Sequence, residues 1–254
     1  MIDNYYMIRE ACNNNDVKKI ILELDYQYWD KNLKRDSDFG DLLVYGQLPF
    51  TTLKMEYIAS QLMDKDFRTI YFRRYAFAKN WKTAKKYMAI KKTDEYKNFQ
   101  IEGVAGIDTE GPYQGLGFFY RTKVTDKKGK LNPSPWTYDD LNPKVQKYFQ
   151  KIVDYCKDNG IELICVTTPI PPSSVVSGAA NEADTYFKQI CEENNVRYID
   201  GNLIKNEILN VSDDDFSDWE GHMNGELAEQ FSEVLTDILK KDDCSEYFYS
   251  SYDE

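Results

Sequence analysis

The apolar positions alternate between two periods along this chain, and the alternation sets out the elements. "IDNYYMIREACNNN" (2–15) has helical spacing and closes in an Asn-rich stop. "VKKIILELDYQYW" (17–29) follows with a short continuous apolar run. Such a run marks a strand buried on both faces of a parallel sheet. It ends in the polar groups Asp25, Tyr26 and Gln27. Residues 30–47 read as loop, with Gly40 and Gly46. From Leu53 to about Ile90 the period is helical again, predicting two helices with a break near Asp64–Asp66. "NPKVQKYFQKIVDYCKDNG" (142–160) predicts a helix capped by Asn142, opened by Pro143 and stopped by Gly160. Its apolar face is Val145, Tyr148, Phe149, Ile152, Val153 and Cys156. "IELICVTTP" (161–169) is a second buried strand, and "VRYID" (196–200) a third that ends in Asp200. Helices are predicted over 183–195 and 221–241, the latter with Leu227, Phe231, Val234, Leu235 and Ile238 facing inward.

Helices alternating with buried strands predict an α/β fold with a mainly parallel sheet. The reading gives one domain over 1–240 and a long irregular insertion over about 93–137, with an acidic tail at 241–254 that is expected to be frayed and disordered. Ligands of such sheets bind beyond the carboxyl ends of the strands. That rim collects Asp25, Tyr26, Thr167, Thr168 and Asp200, together with the loop entering the last helix. His222, the only histidine of the chain, stands in that loop, with Asp218 four residues ahead and Asn224 two behind. Two readings stay open here: the acid/base end of an active site, or the local capping structure of the last helix.

Composition narrows the partners. The net charge of −11 leaves no basic face of the kind that phosphate binding needs, so no nucleic-acid partner is expected. The one basic stretch, 72–92, reads as an amphipathic helix with a solvated face or as a polyanion or membrane-surface contact. Five cysteines without CxxC spacing, beside a single histidine, predict no zinc site, and no cofactor is expected. Asp213–Asp215 lacks the glycine and glutamate of a calcium loop. "GPYQGLG" lacks the context of a phosphate loop. Tyr113, Phe118, Phe119, Tyr120 and Trp136 form either a sugar-binding wall or the core of the insertion. No apolar run reaches membrane-spanning length and no signal peptide opens the chain, so a chain starting at Met1 is expected in the cytoplasm.

"FSDWEGHMNGELAEQFSEVLTDIL" resembles the last motif of the SGNH/GDSL hydrolases, in the branch tied to acylation of cell-envelope polysaccharides. The matching residues are Asp218, His222, Met223, Asn224, Phe231 and Ser232. "GIELICVTTPIPPS", "CEENNVRYIDGN" and "DNYYMIREACNNNDVKKIILELD" resemble the strands and helix around it, so the likeness covers residues 2–29 and about 142–239. The resemblance implies a three-layer, flavodoxin-like sheet and an esterase or O-acyltransferase of acylated carbohydrate. It implies His222 as base and Asp218 as its partner, with Asp25, Tyr26, Thr168, Asn224 and Trp136 near substrate. In the family's motif two residues separate Asp and His; here there are three, with Trp219 in the usual Asp position and Asp215 as a second choice. The family's nucleophilic serine lies in a Gly-x-Ser motif ahead of everything matched here, so the chain is expected to be N-terminally incomplete, or else a degenerate relative, and inactive by itself. Ser173 and Ser174 are the weaker candidates for a nucleophile. Membrane association and an envelope location are then expected only through a missing N-terminal segment. A non-catalytic carbohydrate-binding or scaffolding module on the same fold is the alternative.

Overall fold

Glu162–Thr167 (β2) is the strand on which the sheet is built, with every residue after Glu162 buried. It pairs in parallel with Lys19–Glu23 (β1) on one side and Arg197–Asp200 (β3) on the other, in the order β1-β2-β3. The register sets Leu22 beside Cys165 and Thr167 beside Asp200. The structure, a computed structural model, describes residues 1–31, 44–63, 84–98, 113–121, 137–175, 177–218 and 221–253. The α/β class and parallel pairing expected from the apolar runs are therefore present, in a small sheet.

The α-helices whose bounds are described are α1 (Ile2–Asn14), α2 (Thr52–Tyr57), α3 (Ala84–Ile90), α4 (Asp94–Lys97), α5 (Pro143–Asp158), α6 (Ser177–Glu193) and α7 (Gly225–Leu239), and residues 44–47, read as loop, are helical as well. α5 shows why the capping signals worked. Asn142 Oδ1 accepts the Lys144 N–H at 3.0 Å, and Pro143 takes the first turn, where no intrahelical donor is needed. At the other end Gly160 turns left-handed at φ +65°, letting the Ile161 N–H reach the Cys156 carbonyl at 2.8 Å. α6 starts six residues earlier than its predicted span, and α7 starts at Gly225 because Asn224 accepts the Leu227 N–H and fixes the cap there. The break expected near Asp64–Asp66 lies outside the described residues. So does most of the basic stretch, of which 84–90 is helical.

Where one domain was read over 1–240, contacts divide the chain into two compact units. The first comprises Met1–Val17, Leu33–Phe99 and Lys147–Asp154. Its core is Tyr6, Leu48, Leu53, Tyr57, Ile58, Leu62 and Tyr148. Burying phenols requires partners for their hydroxyls. Tyr6 bonds Ser60 at 2.6 Å, and Gln61 donates to Tyr148 at 2.9 Å.

The second unit comprises Lys18–Asn32, Gln100–Gln146 and Tyr155–Glu254, and holds the sheet. On one face Ile164, Val166 and Ile199 pack under Leu227, Phe231 and Ile238 of α7. Toward the other, α6 brings Phe187 against Tyr198, at 6.1 Å between ring centroids. β1 departs from its expected burial. Lys19, Ile21 and Glu23 are exposed, Ile21 by 50%, while Leu22 and Leu24 are buried. The reason is position: among the described residues β1 pairs with β2 alone, so it is an edge strand, and α7 leaves its outer residues uncovered.

The tail is ordered, contrary to the frayed end expected. Ile204 and Phe248 form an antiparallel bridge, the Tyr249 N–H reaches the Leu203 carbonyl at 2.8 Å, and the Lys205 N–H reaches that of Tyr247 at 2.9 Å. Tyr247 and Phe248 pack on the α7 core, and Tyr252 donates to Asp200. The acidic composition hid these aromatics, whose burial outweighs the cost of ordering the segment.

Candidate active site

The loop entering α7 folds as a tight antiparallel turn. Phe216 bridges Met223, the Ser217 N–H donates to the His222 carbonyl at 2.7 Å, and the Asn224 N–H donates to that of Asp215 at 2.8 Å. Gly221 closes it at φ +92°. A Cβ there would stand 3.3 Å from Pro171 Cδ, so glycine answers both the left-handed backbone and the close approach. Pro171 follows β2, and the Ser173 N–H caps Asp213 at 3.0 Å. The loop carrying His222 is thereby held beside the loop leaving the carboxyl end of β2.

Within this turn Asp218 binds His222 twice. Oδ1 accepts the backbone N–H at 3.2 Å and Oδ2 lies 2.7 Å from Nδ1. The extra residue between them does not prevent the contact, because the turn folds His222 back over Asp218. Asp215, the second choice, is engaged elsewhere: its carboxylate accepts from Ser212 N and Oγ, both at 2.8 Å. Arg121 completes the group. Its Nη1 donates to Asp218 Oδ2 at 2.7 Å and to Ser217 Oγ at 3.0 Å, while Ser217 Oγ donates onward to the His222 carbonyl.

Burial pushes the Asp218 carboxyl up, but hydrogen bonds from the His222 N–H and ring, with Arg121 beside them, hold it below its ordinary value. It is therefore an acceptor only, and Nδ1 must supply the proton of their bond. That fixes the neutral tautomer and leaves Nε2 as the basic nitrogen. The ring is 54% exposed against 18% for the Asp218 side chain, so a partly buried carboxylate orients a reachable imidazole. Among the described residues the ring hydrogen-bonds Asp218 alone. Ser174 is buried in a short turn, and neither it nor Ser173 hydrogen-bonds the imidazole. No group of three or more His, Cys, Asp or Glu among the described residues is arranged to hold a metal.

Three of the other expected residues make local bonds of their own. Asn224 serves as the cap of α7. Thr168 donates to Glu23 of β1 at 2.6 Å. The Asp25 carbonyl accepts the Tyr28 N–H at 3.1 Å and starts a short turn over Tyr26–Trp29. The Tyr26 side chain and all of Trp136 lie outside what is described. Arg121, which sequence reasoning missed, comes from a small turn in the insertion. There Tyr113 bridges Phe119 across Gly115, Leu116 and Gly117. The Arg121 carbonyl accepts the Gly225 N–H at 2.8 Å, and Gly225 lies so close to the Tyr120 ring that an added Cβ would sit 2.6 Å from it. Of the aromatic wall, Tyr120 is thus used in packing on α7, while Phe119 is 37% exposed. No family model matches the chain, and no curated protein or solved structure matches it either.

Proposed function

We propose that this chain carries the acid/base half of an SGNH-type esterase or O-acyltransferase, on a flavodoxin-like variant of the α/β fold, directed at acylated cell-envelope carbohydrate. One observation supports it above the others: the 2.7 Å contact between Asp218 and Nδ1 of a half-exposed, solitary histidine. In the reaction a hydroxyl oxygen attacks the acyl carbon while its proton passes to Nε2 of His222. The imidazolium then returns that proton to the departing sugar oxygen as the acyl–oxygen bond breaks. Asp218 stays ionised throughout, holding the tautomer and stabilising the positive ring. Arg121 positions Asp218 through its 2.7 Å bond to Oδ2.

The chain's single histidine makes the test clean, since its ring protons give one set of NMR signals. An acetylated oligosaccharide is expected to shift those signals, with turnover of 4-nitrophenyl acetate at background because no hydroxyl among the described residues addresses Nε2. Turnover that vanishes in both His222→Ala and Ser173→Ala would keep the chemistry and place the nucleophile in this chain. Turnover untouched by His222→Ala, or no shift with any acetylated sugar, would overturn the reading.

A second reading has its own support. Asp218 Oδ2 is shared between Nδ1 and Arg121, an arrangement that also suits a purely structural clamp of a carbohydrate-binding module. Glycan binding that survives His222→Ala and falls with Trp136→Ala or Phe119→Ala would favour it.

A further inference from the structure

At the carboxyl end of β2 and β3, Asp184 of α6 and Asp200 of β3 face one small cavity with Thr167, Tyr198 and Tyr252. Its volume is about 10 Å³, room for one water-sized particle. Asp184 and Asp200 are both buried residues, 8% and 5% exposed.

The hydrogens around the cavity can be followed one by one. The Thr167 hydroxyl gives its proton to the Leu24 carbonyl at 2.9 Å, so the 2.9 Å contact with Tyr198 is a donation from the phenol. Tyr252 donates to Asp200 Oδ2. The Asn202 backbone N–H gives its proton to Asp200 Oδ1, and the side-chain amide divides its two between Asp200 Oδ1 and the Thr168 carbonyl. Lys188 donates to Asp184 Oδ2 at 2.6 Å. No hydroxyl or amide proton of these groups is left over. The lining offers acceptors, and one of them, the buried Asp184 Oδ1, has no hydrogen-bond donor among the described residues. An unmet buried carboxylate oxygen is costly.

We infer that this cavity is a binding site for a single dehydrated monovalent cation of the potassium, sodium or ammonium class, held by Asp184 Oδ1 with the oxygens of Asp200 and Tyr198. Charge and size both select it. The two carboxylates face one ammonium, Lys188, which leaves one negative charge to balance. A divalent ion needs six or more oxygens or retained waters, and a one-particle cavity has room for neither. A water would donate to only two of the acceptors and would find no donor for its own lone pairs. The electrostatics agree: burial pushes Asp184 and Tyr198 up, and burial followed by the neighbouring Asp184 charge pushes Asp200 up to about 6. Such a site favours a positive occupant.

The test is unfolding of the whole chain by urea at pH 8, with potassium or sodium exchanged for tetramethylammonium at constant ionic strength. Above the dissociation constant, the folding equilibrium constant is expected to rise toward tenfold per tenfold increase in one of the two small cations. That dependence should disappear in Asp184→Asn. Equal stability in all three salts would overturn the site. Should Asp184→Asn fail to fold, crystals of the unaltered chain in thallium(I) acetate decide. An anomalous peak in coordination range of Asp184 Oδ1 supports the cation, and density for water with no anomalous signal refutes it.

Discussion

Asp218 and Asp200 belong to the same compact unit, and their surroundings drive them in opposite directions. Asp218, partly buried, is ringed by donors and positive charge: the His222 N–H, the imidazole and Arg121. Asp200, fully buried, has a phenol, the amides of Asn202 and a second carboxylate, Asp184, for company. The first carboxyl is held below its ordinary value, the second pushed up to about 6. Hydrogen bonds lower both. What separates them is the cation beside one, the anion beside the other and the deeper burial of the second. The Asp218 setting keeps its carboxylate ionised beside the His222 ring.

The largest effect that could break this comparison is the pH dependence of stability. Asp200 moves from an ordinary 3.8 when unfolded to about 6 when folded, so the native state holds its proton over a range where the unfolded state has lost it. Stability from this group is fully present below pH 4 and is lost as the pH rises through 6. Its size is about 3 kcal/mol, from 1.36 kcal/mol per pH unit over roughly two units. Asp184 is raised too and adds to the same slope. Asp218 has the opposite sign: its contribution is present at neutral pH and is lost as the pH falls through its depressed folded value. Urea midpoints from pH 3.5 to 7.5 in tetramethylammonium chloride are expected to fall across pH 4–6, and Asp200→Asn should flatten that fall. An unchanged slope in Asp200→Asn would show that the buried carboxyl is not the group responsible.

Two glycines sharpen the contrast through packing. An added Cβ at Gly201 would meet the Thr167 carbonyl at 2.8 Å and Pro169 at 2.9 Å, beside Asp200. At Gly225 it would meet the Tyr120 ring at 2.6 Å, beside Arg121. Gly201→Ala strikes backbone and a proline ring and is expected to cost about 2 kcal/mol. Gly225→Ala gains helix propensity in the first turn of α7 and is expected to cost about 1 kcal/mol net. Only the second should loosen Arg121 and raise the Asp218 carboxyl, readable by carbon NMR of that side chain.

Arg121→Met isolates the cation itself. The pair is about four-fifths buried on each side, so its loss is expected to cost about 1 kcal/mol at neutral pH. Asp218 should then titrate closer to its ordinary value. If it does not move, the His222 contacts alone set its charge, and the shared oxygen has no electrostatic role.

Much of this arrangement could be read from sequence where the signal was local. Asn142, Pro143 and Gly160 bounded α5, and the run 161–169 became the central strand. The turn from Asp218 to His222 spans four residues, so even their pairing was within reach of spacing. What escaped was long-range. Arg121 meets Asp218 across 97 positions, and Tyr252 meets Asp200 across 52, with no periodicity to link them. β1 misled for a related reason: its apolar run says that it joins a sheet, and carries no information about whether a helix covers its outer residues.

The smallest effects test the residues expected at substrate that the fold engages otherwise. Asn224→Ala removes the cap of α7 and is expected to cost about 1 kcal/mol, with the His222 ring signals displaced because the cap adjoins the loop. Thr168→Val keeps the shape and deletes only a hydroxyl bonded to the exposed Glu23 carboxylate. Solvent competes for that bond, so a loss under about 0.5 kcal/mol is expected, with no change in the ring signals of the free protein. The informative reading comes with acetylated oligosaccharide added. If Thr168 lines the same cleft as His222, the ligand-induced ring shift weakens in Thr168→Val while stability stays level. If the shift is identical to that of the unaltered chain, Thr168 is a fastener between β1 and the loop after β2, and the ligand-binding rim lies nearer to α7.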